Sequence, residues 1–389
     1  MLALRLGRGT GPLVLLRRLL VAAASAGVGF LLLCTLGRAM GHPAGATVRL
    51  LWCLVPLAAA VQFAVAVARA DPGTRPRPGL SAVGLGPARL TLLAAISTAV
   101  SCTLGSSLAL LFFLHLRGDL TGLPFDGKGA ELLAADRPLP LGAALTLLAV
   151  VPVLATTATG LALRARGRAD APGGTAPAPP VPVPNPAPTP TGLPWGVALL
   201  AAGLAVETYA SRGGGGSVLP LPGRFDGSPA GVLAGWSLTA LGLALAGPGI
   251  THLCGWLLQI LRPGAVRLLA GRTLMAEARR IGRPLGVLCA VLSGAFAATS
   301  LHGPGDERPF GPLTALGAAL VIGCTAATLL TAVLESRHAR ASTTRSLRLS
   351  GAPAGLLRTA TAVRAATVLA VFTPLTWAVA ALAAVPLTT

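Results

Sequence analysis

"AALTLLAVVPVLATTATGLAL", residues 143–163, carries no charged side chain and no alternation of polar with apolar positions. At 1.5 Å per residue, a stretch of this length crosses the roughly 30 Å hydrocarbon core of a bilayer as a helix. A membrane β-barrel would need strands of about ten residues that alternate in polarity, and this run does not alternate. A helix also pairs every main-chain N–H and C=O within the segment, as lipid requires.

The same texture recurs along the chain. Of its 389 residues 53% are hydrophobic and 11% charged, against about 25% charged in a soluble domain. The expected fold is therefore an all-α, polytopic helical membrane protein. Nine spans are expected, at residues 19–36, 50–68, 91–116, 141–163, 194–210, 230–261, 285–301, 313–334 and 360–385. The sixth is long for one crossing and should tilt, or kink at "GPG", 247–249. The first span follows Arg17 and Arg18 like a signal peptide, but its apolar run is long for one, and a retained anchor is expected.

Charge sets the orientation. With the amino terminus in the cytoplasm, the inner segments hold 23 of the 31 basic residues, counting Arg364 with the last of them. The expected topology is thus a multi-pass protein of the cell membrane, amino terminus inside and carboxyl terminus outside. The net charge of +19 raises nucleic acid as a partner. Arginines lying mainly in short segments between spans, with no aromatic-rich groove, speak against it. The six cysteines lie in or beside apolar runs without a Cys-x-x-Cys pair and read as small core residues.

Two basic hairpins share a pattern. "LSAVGLGPARLTL" (80–92) and "LRLSGAPAGLLRT" (347–359) align at an offset of 267, pairing Leu80 with Leu347, Gly84 with Gly351 and Leu90 with Leu357. The same offset carries the first three spans onto the seventh, eighth and ninth, with an even number of crossings between, so the copies face the same way. The expected organisation is a parallel internal repeat. Residues 1–163 form a first repeat of four spans, 164–193 a Pro-rich cytoplasmic linker, 194–261 an inserted helix pair, 262–284 an interfacial amphipathic segment, and 285–389 a truncated second repeat of three spans.

Each hairpin has an acid near its start (Asp71, Glu335), scattered arginines, and a Gly/Pro break before the next span. Gly84, Pro87 and Arg89 in one copy, and Glu335, Arg337, Gly351 and Pro353 in the other, are the candidate coupling residues. The plain alternative is a solvated positive-inside hairpin. In residues 262–284, Arg272, Arg279 and Arg283 share one helical face and Ala270, Leu274 and Ile281 the opposite one, which suits a helix on the inner interface; Arg267 and Glu277 spoil the division. Glu207 is the one acid inside an expected span, suited to a proton or cation or, being near the outer end beside Tyr209 and Arg212, to a local pair. No nucleophile, paired carboxylates, metal cluster or cofactor motif is expected, and no enzymatic chemistry.

"AVLESRHARASTTRSLRLSGAPAGLLRTATAVRAATVLA" (332–370) and "RLLAGRTLMAEARRIGRPLGVLCAVLSGAFA" (267–297) together resemble the FtsX-like permease family, in which a span ends in a Glu-plus-Arg cluster, turns through a Gly-containing elbow and re-enters the membrane. The large extracytoplasmic domains of that family have no room here, because segments 37–49 and 302–312 are short. The resemblance implies a transmembrane subunit of an ATP-binding-cassette (ABC) transport system, acting as a homodimer or pseudo-dimer in the lipid bilayer. Its cargo would be a hydrophobic or amphipathic substrate. The ATPase would be a separate cytoplasmic subunit, since the sole lysine lies in "FDGKGAE" and not in a phosphate loop. The competing expectations are a non-transporting membrane adaptor or sensor, and a proton-coupled carrier with Glu207 as its only acid.

Overall fold

The structure is a computed structural model that describes residues 12–41, 46–71, 87–119, 133, 138–169, 192–212, 218–219, 228–260, 264–300, 311–351 and 353–388. Its helices are α1 (Pro12–Gly41), α2 (Ala46–Trp52), α3 (Leu54–Ala70), α4 (Pro87–Arg117), α5 (Leu141–Ala169), α6 (Gly192–Arg212), α7 (Ala230–Ile260), α8 (Ala265–Ser300), α9 (Pro312–Ala339), α10 (Ala341–Leu349) and α11 (Ala354–Thr388). Between α6 and α7, two-residue strands β1 (Val218–Leu219) and β2 (Ser228–Pro229) pair antiparallel. Among the described residues nine spans are long and apolar enough to cross a membrane, and the chain is an all-α multi-pass membrane protein. Gly84 and most of the Pro-rich linker lie outside the described residues.

Contacts divide the chain into two compact units, residues 1–177 with 310–324, and residues 178–309 with 325–389. In the first unit α1 lies along α4, and α5 backs both. Gly105 permits the close approach: a β-carbon there would come within 2.9 Å of Ser25 Cβ and 3.0 Å of Ala26 N. Ser25 Oγ then donates to the Cys102 carbonyl at 2.8 Å. Pro152 lies inside α5 and has no N–H, so the Leu148 carbonyl loses its helical donor; Ser106 Oγ of α4 supplies one at 3.3 Å. Leu33, Cys34, Ala109, Phe113, Ala144 and Leu148 close the core, with Phe30 edge-on to Phe113. A left-handed Gly118 ends α4, its N–H bonding to His115 O and that of Asp119 to Leu114 O, a Schellman stop.

In the second unit α7 packs against both α6 and α8, and α11 against α8. Glycines bring these axes together: a β-carbon at Gly242 would come within 2.6 Å of Leu200 N on α6, and one at Gly255 within 2.8 Å of Gly271 O on α8. Leu285, Cys289 and Phe372 form a core that Ile250, Leu329 and Leu375 flank. Ser293 Oγ of α8 donates to the Thr376 carbonyl of α11 at 3.0 Å. Each unit therefore has a serine on one long helix bonded to the main chain of another, α1 to α4 and α8 to α11. All six cysteines are buried free thiols.

Two segments differ from the sequence expectation in extent. Residues 265–284 form the first part of the continuous α8, which runs on through Pro284 into the seventh expected span. The buried positions explain this: Ala270, Leu274, Ala278, Ile281, Leu285 and Cys289 keep helical spacing straight across the proline. Likewise α9 continues to Ala339, and α10 follows after one residue.

Candidate functional site

Residues 265–283 of α8 carry six charged side chains, and their exposure follows the helical period. Arg272, Arg279 and Arg283 are exposed, whereas Ala270, Leu274 and Ile281 are buried. Glu277 falls on the buried side, 8% exposed, between Leu274 and Ile281. A carboxylate there needs strong partners, because an unpaired buried charge costs several kcal/mol. Two guanidinium groups supply them. Arg340 Nε lies 2.6 Å from Glu277 Oε1, and Arg364 Nη1 donates to Oε2 at 3.0 Å.

The partners come from two further elements. Arg340 is the single residue between α9 and α10, and its Nε also reaches the Ser336 carbonyl at 3.3 Å. Arg364 lies in the third turn of α11 and is 9% exposed, whereas Arg358, two turns earlier on the same helix, is exposed. One carboxylate thus joins α8, the α9–α10 junction and α11. Beside it Arg280 Nη2 approaches Glu335 Oε1 at 3.9 Å. In the first unit, Arg18 at the start of α1 pairs with Asp71 after α3 at 3.1 Å. Both pairs tie the region before one span to the end of the next.

Helix α10 is amphipathic and has no buried residue. Main-chain bonding runs nearly unbroken into it, from Arg340 N to Ser336 O and from Thr344 N to Arg340 O. It ends at Gly351, whose φ of 90° lies in the left-handed region that disfavours a β-carbon. Arg337, Gly351 and Pro353 are exposed around this elbow, and Glu335 is half-buried at its base. In the first unit Pro87 starts α4 and Arg89 is exposed in its first turn. Glu207 is fully buried, well away from the elbow in sequence, and accepts a hydrogen bond from Trp236 Nε1.

Sequence reasoning named Glu335, Arg337, Gly351 and Pro353 but gave no role to Glu277 or Arg364. The signal was present: Glu277 broke the apolar face that Leu274 and Ile281 define, and Arg364 interrupted "TAVRAATVLA". What sequence lacked was the third element, which brings the two together.

A groove of about 570 Å³ opens in the first unit between α4 and α5, lined by Thr103, Ser106, Leu110, Leu145, Pro152 and Thr156 among others. Thr103 and Thr156 donate to carbonyls of their own helices, so the groove wall is mainly apolar. Among the described residues no cluster of three or more His, Cys, Asp or Glu could hold a metal ion. None of the known protein families, curated proteins or solved structures matches this chain.

Proposed function

We propose that this chain is the membrane-embedded permease subunit of an ABC-type system, in which a separate cytoplasmic ATPase bears on the α10 elbow and drives export or extraction of a hydrophobic or amphipathic compound. The observation that carries this reading is the ion triad of Glu277, Arg340 and Arg364. It fastens the root of a helix with no buried residue to two long apolar helices besides its own. Displacing α10 moves Arg340, and the buried pairing passes that movement to α8 and α11, since separating the charges costs more than moving the helices together. The apolar groove between α4 and α5 has a volume in the range of about 300–1,000 Å³ typical of ligand sites and suits a greasy cargo. The residues that resemble the FtsX-like core, 267–297 and 332–370, are the ones that contain the triad.

The test is ATP turnover by the full-length chain purified with its partner and placed in lipid nanodiscs. Gly351→Val combined with Pro353→Ala should leave the complex assembled and lower turnover several-fold. Absence of any associated ATP hydrolysis, or turnover indifferent to both substitutions, would reject the reading and favour a passive adaptor.

A further inference from the structure

Helices α6 and α7 pack with almost nothing between them. Gly196 and Gly203 on α6 and Gly235, Gly242 and Gly249 on α7 recur every seven residues, and each faces the other helix. A β-carbon at Gly203 would come within 2.6 Å of Thr239 N, and one at Gly235 within 2.8 Å of Glu207 Cβ. This is the small-residue packing by which helices associate in lipid. At this seam lies an ionisable group.

Glu207 has no exposed surface. Its Oε1 accepts one hydrogen bond, from Trp236 Nε1, and its Oε2 has no partner. Among the described residues, the elements packed against α6 offer no compensating charge near it. On α7 the ionisable groups are His252 and Cys254, and His252 stands sixteen residues beyond Trp236, about 24 Å along the axis. On α11 they are Arg358 and Arg364, both in its first three turns. On α6 itself the described one is Tyr209, which is exposed and not bonded to Glu207. An anion held by a single neutral donor, with its second oxygen bare in an apolar seam, is far costlier than the neutral acid.

We propose that Glu207 is a proton-binding site: closure of the α6–α7 seam holds its side chain as the neutral carboxylic acid with the proton on Oε2, and parting of the seam releases that proton. On release the Oε2–H bond breaks, the proton passes to entering water, and the carboxylate left behind is hydrated. The site is independent of any ATPase partner, so it stands or falls apart from the permease reading. It gives the hairpin one titratable group whose charge is allowed only in the opened state.

Infrared difference spectra of the full chain in lipid nanodiscs test this. At neutral pH, wild type minus Glu207→Gln should show the carbonyl stretch of a protonated carboxylic acid. Gln keeps an acceptor for Trp236, so the fold should persist. In Trp236→Phe the band should move to higher frequency, because Oε1 loses its donor. Gly235→Ala, which wedges the seam, should make the band titrate away at lower pH than in wild type. A wild-type difference spectrum with only carboxylate bands at neutral pH would overturn the site. A band that titrates identically in Gly235→Ala would overturn its link to the seam.

Discussion

Glu277 stands between Arg340 and Arg364 at 2.6 Å and 3.0 Å, and two cations sharing one anion make each partner's removal unequal. Removing the carboxylate leaves both guanidinium groups facing one another. Glu277→Gln should therefore destabilise the folded protein by about 3–5 kcal/mol, the range for breaking a buried pair. Replacing the innermost pair together, Glu277→Leu with Arg364→Met, should lose less than Glu277→Gln, since Arg340 has solvent within reach and the other two positions become apolar. Thermal unfolding of the three proteins in one detergent checks the order. A double variant less stable than the single would show that the charges contribute net stability beyond mutual compensation. At this scale the sequence was partly readable. Gly351 and the exposed arginines of α8 stood out by residue type and spacing, whereas Glu277 and Arg364 only looked like exceptions, because burial of a charge depends on partners 63 and 87 residues away.

Elements pack here through absence of side chain. A β-carbon at Gly196 would strike the backbone of Ala246, and backbone cannot rotate away as a side-chain tip can. Gly196→Leu should push α6 from α7, increasing the distance between spin labels on the two helices and lowering thermal stability. Gly294→Leu on α8, where nothing lies within 4 Å of the added carbon, should do neither. Equal effects would reject the seam as the cause. The seven-residue recurrence of Gly196 and Gly203, and of Gly235, Gly242 and Gly249, was visible in the sequence, yet glycine in a membrane helix has several meanings and its partner helix is a matter of tertiary packing. Helix limits were harder to read. A boundary was expected after residue 284, but continuous packing of Ala278, Ile281 and Leu285 outweighs the one hydrogen bond that Pro284 lacks.

For the whole molecule, the number of spans follows from physics that leaves little choice: apolar stretches this long have no other stable form in lipid than the helix. That is why nine spans were legible without a relative. Orientation rests on the distribution of arginine alone. Alkaline phosphatase fused within 302–312 should be active, and within 164–193 or 335–359 inactive; the reverse pattern would invert the topology. The division into units was not legible, because α9 gives residues 312–324 to one unit and 325–339 to the other, and no local composition marks that crossing.

The junction at Arg340 has one more consequence. Because main-chain bonds bridge it on both sides while the far end of α10 turns through left-handed Gly351, the two ends of the elbow differ in stiffness. On the proposed reading the helix would act as a crank continuous with α9 and turning at its Gly351 end. On the same reading, torque applied to it would pass up α9, and the Glu277 carboxylate, held by both Arg340 and Arg364, would carry it to α8 and α11.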